Sequence, residues 1–437
     1  MDERTLNKLP NFCSHEHWGS MASFGMVPEG FRPDVVCGAR PQRPTGISDL
    51  VLDAYLRGMM GAVGTNPDRA ASAAGEKEFH AWSTKDPDAA FEALRGLVAA
   101  QRLTGTYQCT RRGVEMLYDA ELDDYSPALN ARIQAEYGRV FAWYRDGMKR
   151  AHFSELIRIV HPEYYVRDET PECAQEEAAF THTIMRIDPL LGLWQSTSTR
   201  RDGLVAMTGI DPVNAETWRA FLERIFAIAT EKNARGIKQL QAYRRVLDYS
   251  VRADEQVVWR GELTPEQIQV QQDWIVRECC RLADARGWVH QIHVGTHNLT
   301  QSSPMPLQAL AKDFPNMKIV MLHCWPFLQE CGWLSKYVPN IYIDSCWQPI
   351  LNPEFYREAL RLWLNYVPLH KITCGHDATS IEMAAGSSRF TREALSNALD
   401  ENKHVLGMKE GPLMQVAADF LHNNSSALYG VGARVEV

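Results

Sequence analysis

Asn11-Phe12-Cys13-Ser14-His15-Glu16-His17-Trp18-Gly19 places two histidines one residue apart, directly after a short apolar stretch. On an extended strand, residues i and i+2 point to the same face. Read as a strand, the stretch aims the His15 and His17 imidazoles at one point. A divalent metal of tetrahedral or trigonal-bipyramidal geometry accepts such a pair. Alone, a pair this short is more often a surface or packing feature, so its reading depends on ligands supplied elsewhere.

Working outward, the C-terminal half alternates apolar β-like runs with helical stretches. Val289 to Val294, Met317 to Leu322, Ile341 to Ile343 and Ile372 to Cys374 read as strands. Helical patterns run from Pro306 to Asp313 and near Glu354 to Tyr366. Earlier, Ile157 to Val160, Leu204 to Thr208 and Ile237 to Leu240 read as strands, with a helix over Thr217 to Asn233 between the last two. Repeated strand–helix units imply a parallel sheet with right-handed crossovers. With the strand ending near Cys13 there are eight candidates, the number that closes a (β/α)8 TIM barrel. The interval before Ile157 far exceeds one crossover. Its helix-like segments, Asp49 to Met60, Ala89 to Leu103 and Ser126 to His152, read as a large, mostly helical insertion after strand one. The expected organisation is a single barrel over 1–437, distorted by a helical cap at 40–152 above its mouth.

Barrel enzymes place their chemistry at the C-terminal ends of strands. There the fifth strand carries His293, on one face with Gln291. The sixth ends in His323, and the eighth runs into His376-Asp377. One histidine on a strand is usually structural, but potential ligands at four strand ends point to a metal site.

This order resembles the amidohydrolase superfamily, which carries HxH on strand one, His on strands five and six and Asp on strand eight of a distorted TIM barrel. The resemblance implies His15, His17 and Asp377 as core metal ligands, His293 as a further ligand or close neighbour, and His323 as a ligand or an acid or electrophile beside the ion. Gly236-Ile237-Lys238-Gln239-Leu240-Gln241-Ala242-Tyr243-Arg244 resembles strand four of the amidohydrolase-2-type branch with FluG-like members. The long insertion is similar to that of uronate-isomerase-like relatives, and Asn423 to Gly430 to the terminal helix of many members. His376 before Asp377 departs from the small or hydroxyl residues common there. Some branches carboxylate a strand-four lysine to bridge two metals; the Ala-Tyr-Arg context instead implies an ordinary ammonium and one ion.

A metal held by neutral imidazoles and one carboxylate stays a strong Lewis acid and lowers the pKa of a bound water toward about 7. Asp377 is then the expected proton carrier, and His323 the expected partner of a developing oxyanion. That gives hydrolysis of an amide, ester or lactone. The same residues allow aldose–ketose isomerisation or decarboxylation, and the rival from another class is a ligand-binding barrel without turnover. Lys238, Tyr243 and Arg244 are the expected contacts of a substrate carboxylate. Zinc is the expected ion, with manganese the alternative, because N/O ligands suit both.

A formal net charge of -8 and the lack of any long basic run argue against a nucleic-acid partner. No apolar run reaches membrane-spanning length, and Met1 to Leu9 lacks the apolar core of a signal peptide. None of the ten cysteines falls in a C-x-x-C pair. They read as reduced thiols of a cytoplasmic protein whose partner is a small molecule. A homo-oligomer is compatible with this reading.

Overall fold

The computed structural model describes residues 3–17, 46–47, 50, 85–122, 126–139, 141–166, 175, 178–194 and 199–437. Eight parallel strands follow one another in chain order around one sheet: β1 (Asn11–Glu16), β2 (Phe153–Val160), β3 (Thr181–Arg186), β4 (Gly236–Gln239), β5 (Val289–Val294), β6 (Lys318–His323), β7 (Ile341–Asp344) and β8 (Ile372–Thr373). The last strand returns to the first. The Ser14 amide donates to the Cys374 carbonyl at 3.1 Å, and the Asp377 amide to the His15 carbonyl at 3.0 Å. The fold is therefore a TIM barrel, and the β1–β8 seam runs through the two segments that carry His15 and Asp377.

Seven of the eight expected strands overlap observed ones. The third does not: Leu204 to Thr208 lies in the helix Thr199–Thr208, and the strand is Thr181–Arg186. A short apolar run suits either element. Only Leu204 of that run is buried, as on a helix with one inward face. Thr181–Arg186 is masked in sequence by its polar residues, though Ile184 and Met185 supply its core.

The barrel helices start where local chemistry satisfies their first amides. Asn214 and Thr217 form a capping box at Ala215–Glu231, as do Thr264 and Gln267 at Pro265–Asp284, where a proline opens the first turn. Phe12, Ile157, Val289 and Val320 belong to the barrel interior, and Leu428, Tyr429 and Val431 from the chain's end pack into the same cluster. Asn424 anchors that end by donating to the Leu369 and Ile372 carbonyls, both at 2.8 Å. Among the described residues, no helix is long and apolar enough to cross a membrane.

The chain between β1 and β2 contains the helices Pro87–Ala100, Gly105–Tyr118, Pro127–Gly138 and Phe141–Arg150. The expected helix over Asp49 to Met60 lies outside the described residues, Leu50 excepted. Gly105–Tyr118 crosses the helix Ile381–Leu406 in close backbone contact. A Cβ at Gly113 would lie 1.7 Å from the Glu382 carbonyl oxygen, and one at Gly386 would lie 1.7 Å from that of Cys109. Backbone cannot give way as a flexible side chain does, so Gly386→Ala must force the helices apart. It is expected to cost about 1–3 kcal/mol of stability, the usual range for overpacking, read by urea denaturation. An unchanged midpoint would contradict the close crossing.

Candidate metal centre

The functional side chains gather where β1, β5, β6 and β8 end. His15 Nε2 and His17 Nε2 lie 3.3 and 3.0 Å from Asp377 Oδ1, and His323 Nδ1 lies 3.7 Å from Asp377 Oδ2. The His293 and His323 rings are 4.2 Å apart between centroids, and those of His15 and His323 6.2 Å. Thr296, His323, Cys324, Trp347 and Asp377 all have φ between 57° and 73° at or just beyond the ends of β5 to β8. Such left-handed backbone is costly for non-glycine residues and gathers at functional sites. Here it turns the chain sharply at the strand ends that carry His323 and Asp377.

The hydrogen bonds leave His15, His293 and His323 one nitrogen each for a ligand. His323 Nδ1 is 2.8 Å from the Cys346 carbonyl oxygen, which only accepts, so Nδ1 carries the proton and Nε2 the lone pair. His293 Nε2 pairs with Thr296 Oγ1 at 2.6 Å, while its buried Nδ1 has no hydrogen-bond partner among the described residues. His15 Nδ1 pairs with Gln291 Oε1 at 2.6 Å, and its Nε2 is buried without a hydrogen-bond partner. Buried polar atoms of this kind call for an explanation. A divalent cation, which takes neutral imidazole and carboxylate donors, supplies one.

The electrostatics agree. Burial would raise the Asp377 carboxyl, but the facing His15 and His17 imidazoles outweigh it and hold it well below the usual carboxylate range. Burial pushes His323 down to about 3 and His293 well below its ordinary value. At neutral pH both are therefore neutral, the state a metal requires. With its Nδ1 proton directed to Cys346, His323 offers Nε2 as a lone-pair donor, the geometry that the ligand alternative of its two expected roles requires.

The other expected residues separate. Lys238 is buried on β4, in register with Arg186 and Gln291, and its charge acts on His17, His293 and His323. The Tyr243 ring lies 4.3 Å from that of His293, tilted by 40°. Arg244 is exposed on the loop after β4, whereas buried Arg245 turns to Asp273. Asp344 accepts from Ser14 Oγ, Thr373 Oγ1 and the Cys346 and Gly375 amides; four donors make it a latch across the seam. Several site residues were not anticipated. Cys346 offers a ligand atom within 4.8 Å of those of His15 and Asp377. Trp347 lies edge-on to His323 at 5.3 Å and stacks on His297 at 5.4 Å. Thr296 and Cys346 carried no signal in sequence, whereas the alternation of Gln291 with His293 already placed Gln291 on the site face.

Two histidines are structural. His290 points away from the site, with Nδ1 3.5 Å from Cys280 Sγ. His376, beside Asp377 in sequence, pairs with Asn11 Nδ2 at 2.8 Å and Ser387 Oγ at 3.0 Å. Burial lowers both to about 3, against about 6.5 in an unfolded chain. Between those values the unfolded chain binds more protons. The stability they contribute is complete above about pH 6.5 and is lost as pH falls toward the folded values, by up to about 1.4 kcal/mol per pH unit and group. Urea denaturation of metal-free protein should show lower stability near pH 5 than near pH 7. A flat profile would contradict neutral burial.

A barrel with this cluster at the C-terminal ends of its strands defines a TIM-barrel protein with a candidate metal centre. The chain belongs to the Amidohydrolase family Amidohydro_2, whose model matches residues 190–431. Protein fluG of Emericella nidulans is 26% identical over 242 residues, a match covering 48% of this chain and 28% of that protein. The chain thus spans well under half the length of that relative. The fold is similar to a uronate isomerase from Bacillus halodurans (TM-score 0.66, 15% identity, 99% of this chain and 96% of that one). It is likewise similar to a uronate isomerase from Thermotoga maritima (TM-score 0.68, 14% identity, 98% and 96%).

Proposed function

We propose that the protein is a metal-dependent hydrolase acting on an amide, ester or lactone of a small, carboxylate-bearing substrate. The supporting observation is the convergence of His15 and His17 on Asp377, with His293 packed on His323 beside them and with His15 Nε2 and His293 Nδ1 buried without a hydrogen-bond partner among the described residues. These four residues would hold the ion, zinc in this reading and manganese as the alternative, with His323 Nε2 available as a further donor. When bound, the ion supplies Lewis-acid polarisation and an acidified water as nucleophile.

The chain's own residues do the rest. Asp377 is ionised at neutral pH and accepts the proton of the attacking water, then returns it to the leaving group. Lys238 supplies the buried positive charge that receives the substrate carboxylate. Tyr243 walls the pocket beside His293, and Arg244 stands at the rim above it. In this reading the insertion at 40–152 serves as the cap.

Lys238→Ala is expected to raise KM for an anionic substrate about 10–100-fold, the worth of one charge-assisted hydrogen bond, with a smaller change in kcat. An unchanged KM would remove Lys238 from the binding site. The reaction class is tested in oxygen-18 water, where hydrolysis puts label into the acid product. An unlabelled product with turnover would instead indicate isomerisation or decarboxylation at the same centre.

A further inference from the structure

Gln291 lies on β5, fully buried, two residues before His293. The two ends of its amide face different partners. Nε2 donates to the Ser14 carbonyl oxygen at 2.7 Å and to the Tyr429 hydroxyl at 2.5 Å. A carbonyl oxygen only accepts, so this pairing fixes which end of the amide is nitrogen. The other end, Oε1, faces His15 Nδ1 at 2.6 Å. An amide oxygen also only accepts, so Nδ1 must carry the proton.

A neutral imidazole with its proton on one nitrogen holds its lone pair on the other. In a His15 that serves as a metal ligand that atom would be Nε2, which faces Asp377 Oδ1 at 3.3 Å. Tyr429 closes the ring with a long contact of 3.5 Å to the Ser14 carbonyl. It comes from the helix Asn424–Tyr429, and its ring lies 6.4 Å from that of Phe12 in the barrel interior. The orientation of a β1 side chain is thereby tied to the last helix of the chain, more than 400 residues away.

We infer that Gln291, held in turn by Tyr429, is a positioning residue that locks His15 in the Nδ1–H tautomer and presents Nε2 to the ion. The C-terminal helix is then part of the scaffold of the metal centre. The role of Nε2 rests on the metal reading above; the tautomer lock does not.

The test uses the full-length protein with two readouts. Zinc affinity is measured by chelator competition. The His15 tautomer is read from two-bond proton–nitrogen correlation spectra of metal-free, nitrogen-15-histidine-labelled protein, with His15→Asn assigning the signal. Gln291→Leu removes the acceptor at similar volume. It is expected to weaken zinc binding about 10–100-fold, as loss of a ligand-orienting partner does, and to give mixed His15 tautomers. Gln291→Glu keeps an acceptor toward Nδ1–H and should recover most of the affinity. Tyr429→Phe leaves one amide proton without its acceptor and should give a smaller loss, and it carries the same comparison if Gln291→Leu does not fold. Wild-type affinity with an unchanged tautomer in Gln291→Leu or Tyr429→Phe would overturn the inference. So would a Gln291→Glu variant as weak as Gln291→Leu, because the loss would then come from packing. If the wild-type protein bound no zinc, the metal reading would fail, and the tautomer spectra would still decide the lock.

Discussion

Asp377→Asn is expected to lower kcat by about 10²–10⁴-fold, the usual contribution of a positioned proton carrier, while the barrel stays folded. Both halves of that expectation have a structural cause. The carboxylate is the acidic group facing His15, His17 and His323 together, and His15 and His17 keep it ionised and ready to accept a proton. Asparagine keeps the size and one oxygen but cannot take up that proton. The backbone should tolerate the change, because Asp377 sits at φ 57° and asparagine is among the few side chains at ease there. The seam bond from the Asp377 amide to the His15 carbonyl does not involve the side chain. Turnover and circular dichroism measured on one preparation check both halves. A folded variant with wild-type turnover would remove Asp377 from the proton path.

His15→Ala is expected to abolish the stabilisation that zinc gives the folded protein. An ion that binds only the folded chain at a free concentration of 1,000 times its Kd adds about 4 kcal/mol. In the wild type, zinc should therefore raise the denaturation midpoint clearly. In His15→Ala it should move the midpoint little, because a buried donor nitrogen of the cluster is gone. The metal-free variant should remain folded, since the alanine backbone still accepts from the Asp377 amide across the seam. An equal zinc-dependent shift in both proteins would place the ion elsewhere.

Much of this site was legible because its signals are local. His15 and His17 share a strand face by period two, and His293, His323 and Asp377 each fall at the end of a recognisable apolar run. What could not be read depends on tertiary approach. Cys346 enters the centre because β7 ends beside β8, and Trp347 because the next turn folds toward His323. Neither has a periodic signature. His376 showed the converse: adjacent to Asp377 in sequence, it points to Asn11 and Ser387 instead. The third strand was missed for a compositional reason, since threonine, histidine and arginine interrupt Thr181–Arg186 while the more apolar Leu204 run is helical. Arg244 and Arg245 are neighbours in sequence, yet one is exposed and the other is held by Asp273. Only the turn after β4 decides which is which.

The central claim is that His15, His17, His293 and Asp377 hold a divalent ion. Elemental analysis of protein purified from zinc- and manganese-supplemented cells, side by side with His15→Ala, tests it most directly. The expected result is about one zinc or manganese per wild-type chain and a small fraction of that in the variant. A wild-type protein without stoichiometric divalent metal, or a variant that retains it in full, would contradict the assignment.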